Sequence, residues 1–381
     1  DGAWIYQSGV TKADLEDLVR NAYVELRALI EQHEALRAYF AGLDRDPVLS
    51  SGAARLDLDE NDRAAMIDPL RRHGARIYDR TFIRGDRGLR EGMRLVEQYA
   101  APGGRPPRIV FRVSDIYVPW QFLYPHKTGA IDVERFWGFR YELGTRQLVD
   151  AAQATLLTRM DKPTADQTLF AAYRSDSADD VAARANLFAR HVDELLPRDL
   201  DVADSRNEFL ERLTHEGYKL RLIIAYGHAT SGTVVGSSPG GEPILTGDAG
   251  GPRFAFAKTE YLEPGDIDDY TPPPDDGLLL AGQPVVLFNA CETGGGGLRP
   301  MNNNGFVGAL TRAGARAVIV TETPVWNNFA YHFGQHVFDG LVQGLSVSAA
   351  LRNARLRHLR EWNNPLGLIY TLYGNPAARI E

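Results

Sequence analysis

Two segments of this sequence end an apolar run in a side chain that can do chemistry. The first reads Leu222-Ile-Ile-Ala-Tyr-Gly-His228-Ala-Thr-Ser-Gly232, and the second reads Val285-Val-Leu-Phe-Asn-Ala-Cys291-Glu-Thr-Gly-Gly-Gly-Gly297. Cysteine and histidine together make a nucleophile and its base. A free thiol of pKa ~8.5 is only a few per cent ionised at neutral pH, and a neighbouring imidazole raises the reactive fraction. Acyl transfer also needs donors for the developing oxyanion. The backbone N–H groups of Cys291 and Ala229, each at a strand-end turn, are the candidates. Gly294 and the glycines after it present no side chain, so a substrate backbone could approach closely there. Glu292, beside the thiol in sequence, is a candidate for substrate contact or for a supporting hydrogen bond. Each residue also has a plainer reading. A lone cysteine is usually a small buried hydrophobe, and a lone histidine after a strand is usually a hydrogen-bonded core or surface residue. The recurrence of the two strand-end motifs is what favours catalysis. The glycine run is not a phosphate loop, because no Gly-Lys-Ser/Thr follows it and the dinucleotide spacing is absent.

The pair can act together only if the two strands lie side by side, so the surrounding elements matter. From Thr168 onward the pattern alternates. Strands are expected at 168–173, 220–226, 284–289, 317–321 and 368–372, and helices at 179–196, 207–215, 305–313, 328–341 and 347–362. Strands separated by helices imply an α/β fold, a mostly parallel sheet covered on both faces, with ligands beyond the carboxyl ends of its strands. Ser231 to Pro252 reads as a hairpin excursion. Upstream, an amphipathic helix over 12–41 places Leu15, Leu18, Ala22 and Leu26 on one face, with Thr11 and Gly42 as its caps. A linker at 46–54, a helix at 60–78 interrupted by Pro69, a helix at 87–99 and a strand at 108–113 follow. The expected organisation is an N-terminal helical segment (1–54), an N-terminal part of the main domain (55–165) and a catalytic part (166–381).

Composition limits the function classes. The 381 residues carry a net charge of −8, which argues against direct binding of nucleic acid or of an anionic membrane. No apolar run reaches the ~20 residues of a membrane span. A single cysteine excludes an intrachain disulfide and a multi-cysteine metal site, and a reducing cytoplasm is the default compartment. No cofactor or metal is called for. His332 and His336, four apart on an expected helix, lack a third ligand and read as a solvated face. The acidic, proline-rich stretch from Glu263 to Asp276 reads as an exposed loop without calcium-ligand spacing. His126, His191, His215 and His358 have no evident partner, and Asp115 is a minor candidate for orienting the dyad. Of 42 basic residues 37 are arginine, which reads as codon bias of a GC-rich genome. The chain begins at Asp1 with no signal segment, and whether it is part of a longer protein is left open.

The order strand–His–small residue, then strand–Asn-Ala-Cys-Glu-Thr-Gly-Gly, resembles the CHAT family of caspase-like cysteine peptidases, relatives of caspases and separase. Further segments carry the resemblance: Leu70–Tyr78, Val118-Pro-Trp-Gln-Phe-Leu-Tyr124, Gly314–Glu322, Gly344–Leu351 and Asn364–Gly374. It implies a caspase-like sheet, Cys291 as nucleophile and His228 as general base. It implies a protein substrate bound as an extended strand, with an activating sensor or fused partner domain. It also implies regulated cleavage of one partner protein in prokaryotic defence or cell death, a gasdermin-type substrate being one such partner. Two departures stand out: His228-Ala229 replaces the common His-Gly, and Thr323-Pro-Val-Trp-Asn327 replaces Trp-Pro-Val-Asp-Asp. Arg299, Arg140, Asp115 and Trp326 are candidates for substrate selectivity, Arg299 being the one assigned to substrate binding. The alternatives are a catalytically silent CHAT-like scaffold and a non-proteolytic cysteine hydrolase.

Overall fold

In the computed structural model the apolar runs become the middle of one sheet. The structure describes residues 15, 18, 19, 21, 22, 58, 60–84, 87–100, 104–113, 118–125, 131–147, 165–175, 180–197, 199–215, 219–230, 233–237, 243–246, 252–273, 276–290, 305–323, 325 and 327–380. Leu15, Leu18, Val19, Asn21 and Ala22 are helical, with Leu15, Val19 and Ala22 buried. The remainder of the expected 12–41 helix, its caps and the 46–54 linker lie outside the described residues.

Two helices follow, α1 (Glu60–Tyr78) and α2 (Arg87–Tyr99), joined through a π-helical turn at Asp79–Ile83. Pro69 does not interrupt α1. A proline inside a helix costs about 3 kcal/mol, and here Met66, Ile67, Leu70 and Ile77 keep both halves of the helix pressed into one core. Strand β1 (Arg108–Val113), helix α3 (Trp137–Arg140) and strand β2 (Glu142–Gln147) come next; β2 was not foreseen. Val118–Tyr124 forms a buried turn.

The α/β alternation then runs as expected. It comprises β3 (Gln167–Ala172), α4 (Asp180–Leu195), β4 (Leu200–Ala203), α5 (Arg206–Thr214) and β5 (Leu220–Gly227). An excursion contains β6 (Ala229–Thr230), β7 (Thr233–Ser237), β8 (Pro243–Thr246), β9 (Arg253–Ala257), β10 (Glu260–Leu262) and α6 (Pro264–Asp268). The chain re-enters the sheet at β11 (Val285–Ala290). It continues through α7 (Phe306–Ala313), β12 (Ala317–Thr321), α8 (Asn327–Val342), α9 (Val347–Trp362) and β13 (Tyr370–Gly374). The expected hairpin is the antiparallel β7–β8 pair.

The main sheet has the order β1-β2-β13-β12-β11-β5-β3-β4. Every neighbouring pair is parallel except β12–β13. The mostly parallel α/β reading therefore holds. The sheet draws β1 and β2 from residues 55–165 and its other strands from 166–381. Alternate residues of the central strands feed two cores. Leu222, Ile224, Val285, Leu287 and Ile319 meet α4, α8 and α9, whereas Ile223, Val286, Phe288 and Val318 meet α5, α7 and β9. Burial on both faces explains why these strands are mostly apolar on both sides rather than alternating. Among the described residues no helix is long and apolar enough to cross a membrane.

The stretch from Glu263 is not simply an exposed loop. Proline suits the first turn of a helix, and α6 forms there with Ile267 buried. Its carboxylates are taken up by arginines, Asp266 by Arg206 and Asp268 by Arg312 (2.7 and 2.9 Å).

Candidate active site

Strands β5 and β11 are parallel neighbours, and their register pairs Asn289 with Tyr226 and Ala290 with Gly227. The residues that come next in the chain are His228 and Cys291. Adjacent strands lie ~4.8 Å apart, so Gly227 and Ala290, the residues before His228 and Cys291, end neighbouring strands at one level. Cys291 itself lies outside the described residues, as do Glu292, Gly294, Arg299, Asp115, His126 and Trp326.

His228 is exposed at the carboxyl end of β5, where β9 holds its backbone and Tyr173 meets its ring. Its carbonyl accepts the Ala255 N–H of β9 at 2.9 Å. Its ring meets the buried Tyr173 ring edge-to-face, centroids 4.7 Å apart at 88°. Tyr173 in turn donates its backbone N–H to the Tyr226 carbonyl at 3.1 Å. Gly227 makes this arrangement fit, since a Cβ there would stand 2.8 Å from the Tyr173 Cβ and 3.1 Å from the Phe254 ring. Ala229 pairs with Phe254 across β6 and β9. Because the Ala255 N–H bonds to the residue before Ala229, this pair is of the non-hydrogen-bonded kind, whose own N–H groups face away from the partner strand. The Ala229 N–H is thus not consumed by β9.

The end of β11 rests on a buried polar floor. Asn289 donates to the Ala330 carbonyl and accepts from the Tyr370 hydroxyl, both at 2.7 Å. Thr321, at the end of β12, donates its hydroxyl to the Ala290 carbonyl at 2.5 Å. The Tyr226 hydroxyl donates to Asn327 at the start of α8. Gly334 leaves room for Asn289, whose amide nitrogen would lie 2.4 Å from a Cβ at that position. Sequence reasoning missed Tyr173, Thr321 and Tyr370. Asn289 had a signal, as the one polar residue in an otherwise apolar strand.

Other candidates fall elsewhere. Arg140 lies in α3, 5.3 Å above the Tyr141 ring, on the far side of β12 and β13 from β11. His332 and His336 do not form a solvated face. They are half-buried between α8 and α9, and His336 Nδ1 lies 3.0 Å from Nε2 of the fully buried His358. Burial pushes the pKa of His332 and of His336 down to about 4 and that of His358 well below its ordinary value. His191, without evident partner in the sequence, meets Asp339 at 2.7 Å. Among the described residues no group of three or more His, Cys, Asp or Glu is placed to hold a metal ion.

Comparison with known proteins bears on the same region. Residues 275–370 match the CHAT domain family, so the resemblance carried by the motifs holds over that stretch. It contains β11 and Cys291 and leaves His228 outside. A Vitiosangium sp. protein described as a probable protease is 30% identical over 246 residues, 62% of this chain and 28% of its own length. The chain therefore spans under a third of that curated relative. Among solved structures, one described as a protease aligns with a TM-score of 0.45 at 12% identity, over 74% of this chain and 66% of the other. The Saccharomyces cerevisiae separase–securin complex aligns with a TM-score of 0.43 at 12% identity, over 97% of this chain and 23% of that one.

Proposed function

We propose that this chain is a cysteine endopeptidase in which His228 and Cys291 form the catalytic dyad. The observation that carries the reading is the Gly227–Ala290 register between neighbouring parallel strands. The CHAT match around Cys291 and the protease description of the Vitiosangium relative agree with it. His228 takes the thiol proton, and the Cys291 sulfur attacks the scissile carbonyl carbon. The oxyanion is held by the N–H groups of Cys291 and Ala229. As the tetrahedral intermediate collapses, the C–N bond breaks and His228 returns the proton to the leaving amine. Water, deprotonated by His228, then cleaves the thioester to release the carboxylate and the thiol. Glu292, Gly294 and Arg299 contact the substrate, a protein segment lying as an added strand along the strand ends. We assign the biological setting by resemblance: regulated cleavage of one partner protein in prokaryotic defence, a gasdermin-type protein being the substrate class.

Incubation of the wild type, Cys291→Ala and His228→Ala with a proteome-derived peptide library, read by mass spectrometry, tests the dyad. Cleavage by the wild type alone is expected. Absence of cleavage by the wild type, together with Cys291 alkylation that is slow and indifferent to His228→Ala, overturns the reading.

A further inference from the structure

We infer that the corner formed by α1, the π-helical turn and α2 is a docking surface for an acidic segment of a partner protein. Residues 71–94 contain eight arginines against three carboxylates, Asp79, Asp86 and Glu91, in a chain whose net charge is −8. The whole-chain charge conceals this segregation. Codon bias selects arginine over lysine, but it does not remove carboxylates.

Seven of these arginines are exposed: Arg72, Arg76, Arg80, Arg84, Arg87, Arg90 and Arg94. The first four recur at four-residue intervals, and Arg72 and Arg76 stand one turn apart on α1, a like-charge arrangement that destabilises an isolated helix. Asp68, Asp79 and Glu91 meet Arg72, Arg84 and Arg94 at 3.4, 2.9 and 2.7 Å. These are surface pairs of the weak, exchangeable kind. Arg76, Arg87 and Arg90 make no ion pair among the described residues. An external acidic partner would offset the repulsion.

Ile83, at the end of the π-helical turn and next to Arg84 in sequence, is 49% exposed, an apolar side chain within this arginine-rich stretch. That combination suits a protein interface, where apolar and arginine contacts dominate affinity. A phosphate backbone has no use for Ile83. The platform is rigid, because Phe82 packs against Tyr78 and Trp137 at centroid distances of 5.3 and 5.2 Å.

The test uses the full chain and a fluorescent peptide of Glu-Leu-Glu-Glu-Leu-Gln repeats, about 20 residues and about 30 Å long when helical. Its binding is followed by anisotropy at low and moderate salt, with a Glu-to-Gln version and a DNA duplex of similar length as comparisons. The acidic peptide is expected to bind and to weaken as salt rises. The combined variant R76E/R87E/R90E should lose at least about tenfold in affinity, and I83S at least about threefold, while melting as the wild type does. The Gln peptide should not bind. Equal binding by wild type and the triple variant overturns the proposal. So does duplex binding tighter than peptide binding and insensitive to I83S, which would assign the surface to nucleic acid.

Discussion

Tyr173 determines how the His228 imidazole stands at the end of β5. Nothing in a strand end by itself fixes χ1 and χ2 of an exposed histidine; an edge-to-face contact with a buried ring does. That contact is made by the face and edge of the two rings. On the proposed role of His228 as general base, Tyr173→Phe is therefore expected to keep peptidase activity within about twofold, whereas Tyr173→Leu lowers kcat about tenfold or more with KM nearly unchanged, because a misaligned base slows chemistry rather than binding. Steady-state kinetics on a peptide drawn from the cleavage library, beside melting curves, would decide. A folded Tyr173→Leu enzyme with wild-type kcat removes Tyr173 from the site. The same crowding explains why His228 is preceded by glycine, since any Cβ at 227 enters the space shared by Tyr173 and Phe254.

Strand β11 is held at its carboxyl end by three elements at once. Asn289 ties it to α8 and β13, and Thr321 ties it to β12. A fully apolar strand would bury more hydrophobic surface there, but it would leave the Ala330 carbonyl without the Asn289 donor and the Tyr370 hydroxyl without its acceptor. Each unsatisfied buried group costs roughly 1–3 kcal/mol. Asn289→Leu is accordingly expected to lower stability by about 2–4 kcal/mol by urea unfolding, and to lower catalytic rate in the fraction that remains folded. Equal stability would show that the floor is packing alone. A similar economy operates at α9, where the fully buried Arg355 donates to the carbonyls of Gly367, Gly138 and Tyr370. Burial lowers its pKa to about 9, so it remains a cation at neutral pH.

For the molecule as a whole, the histidines between α8 and α9 set an acid limit on stability. His332 and His336, with pKa values lowered to about 4 chiefly by burial, stay neutral in the folded chain, while the unfolded chain protonates them near pH 6.5. Between those values the unfolded state binds more protons, so stability rises with pH across the window and is lost as pH falls. The loss is roughly 2 kcal/mol per histidine by pH 5. Urea midpoints measured from pH 7 to 5.5, before the carboxylates titrate, should decline in the wild type and decline less in His332→Gln/His336→Gln. A flat profile in both proteins would show that these imidazoles are solvated.

What the sequence determined by itself was the local pattern. Largely apolar runs at 220–226 and 284–289 required strands covered on both faces, and each run is followed by a residue type able to do chemistry, His228 and Cys291. Periodicity likewise determined α7, α8 and α9, whose apolar faces are long and regular. It did not announce β2, β4, β9 or β10, which are short, and β2 depends in addition on β13, far away in sequence. Pro69 misled for the same reason, because a local penalty was outweighed by packing distributed along the whole of α1. Only the tertiary structure decided which strands are neighbours, that Ala290 stands level with Gly227, and that Tyr173, Thr321 and Tyr370 converge on those two strand ends. Pairing and burial are properties of distant segments brought together, and no spacing within a single segment encodes them.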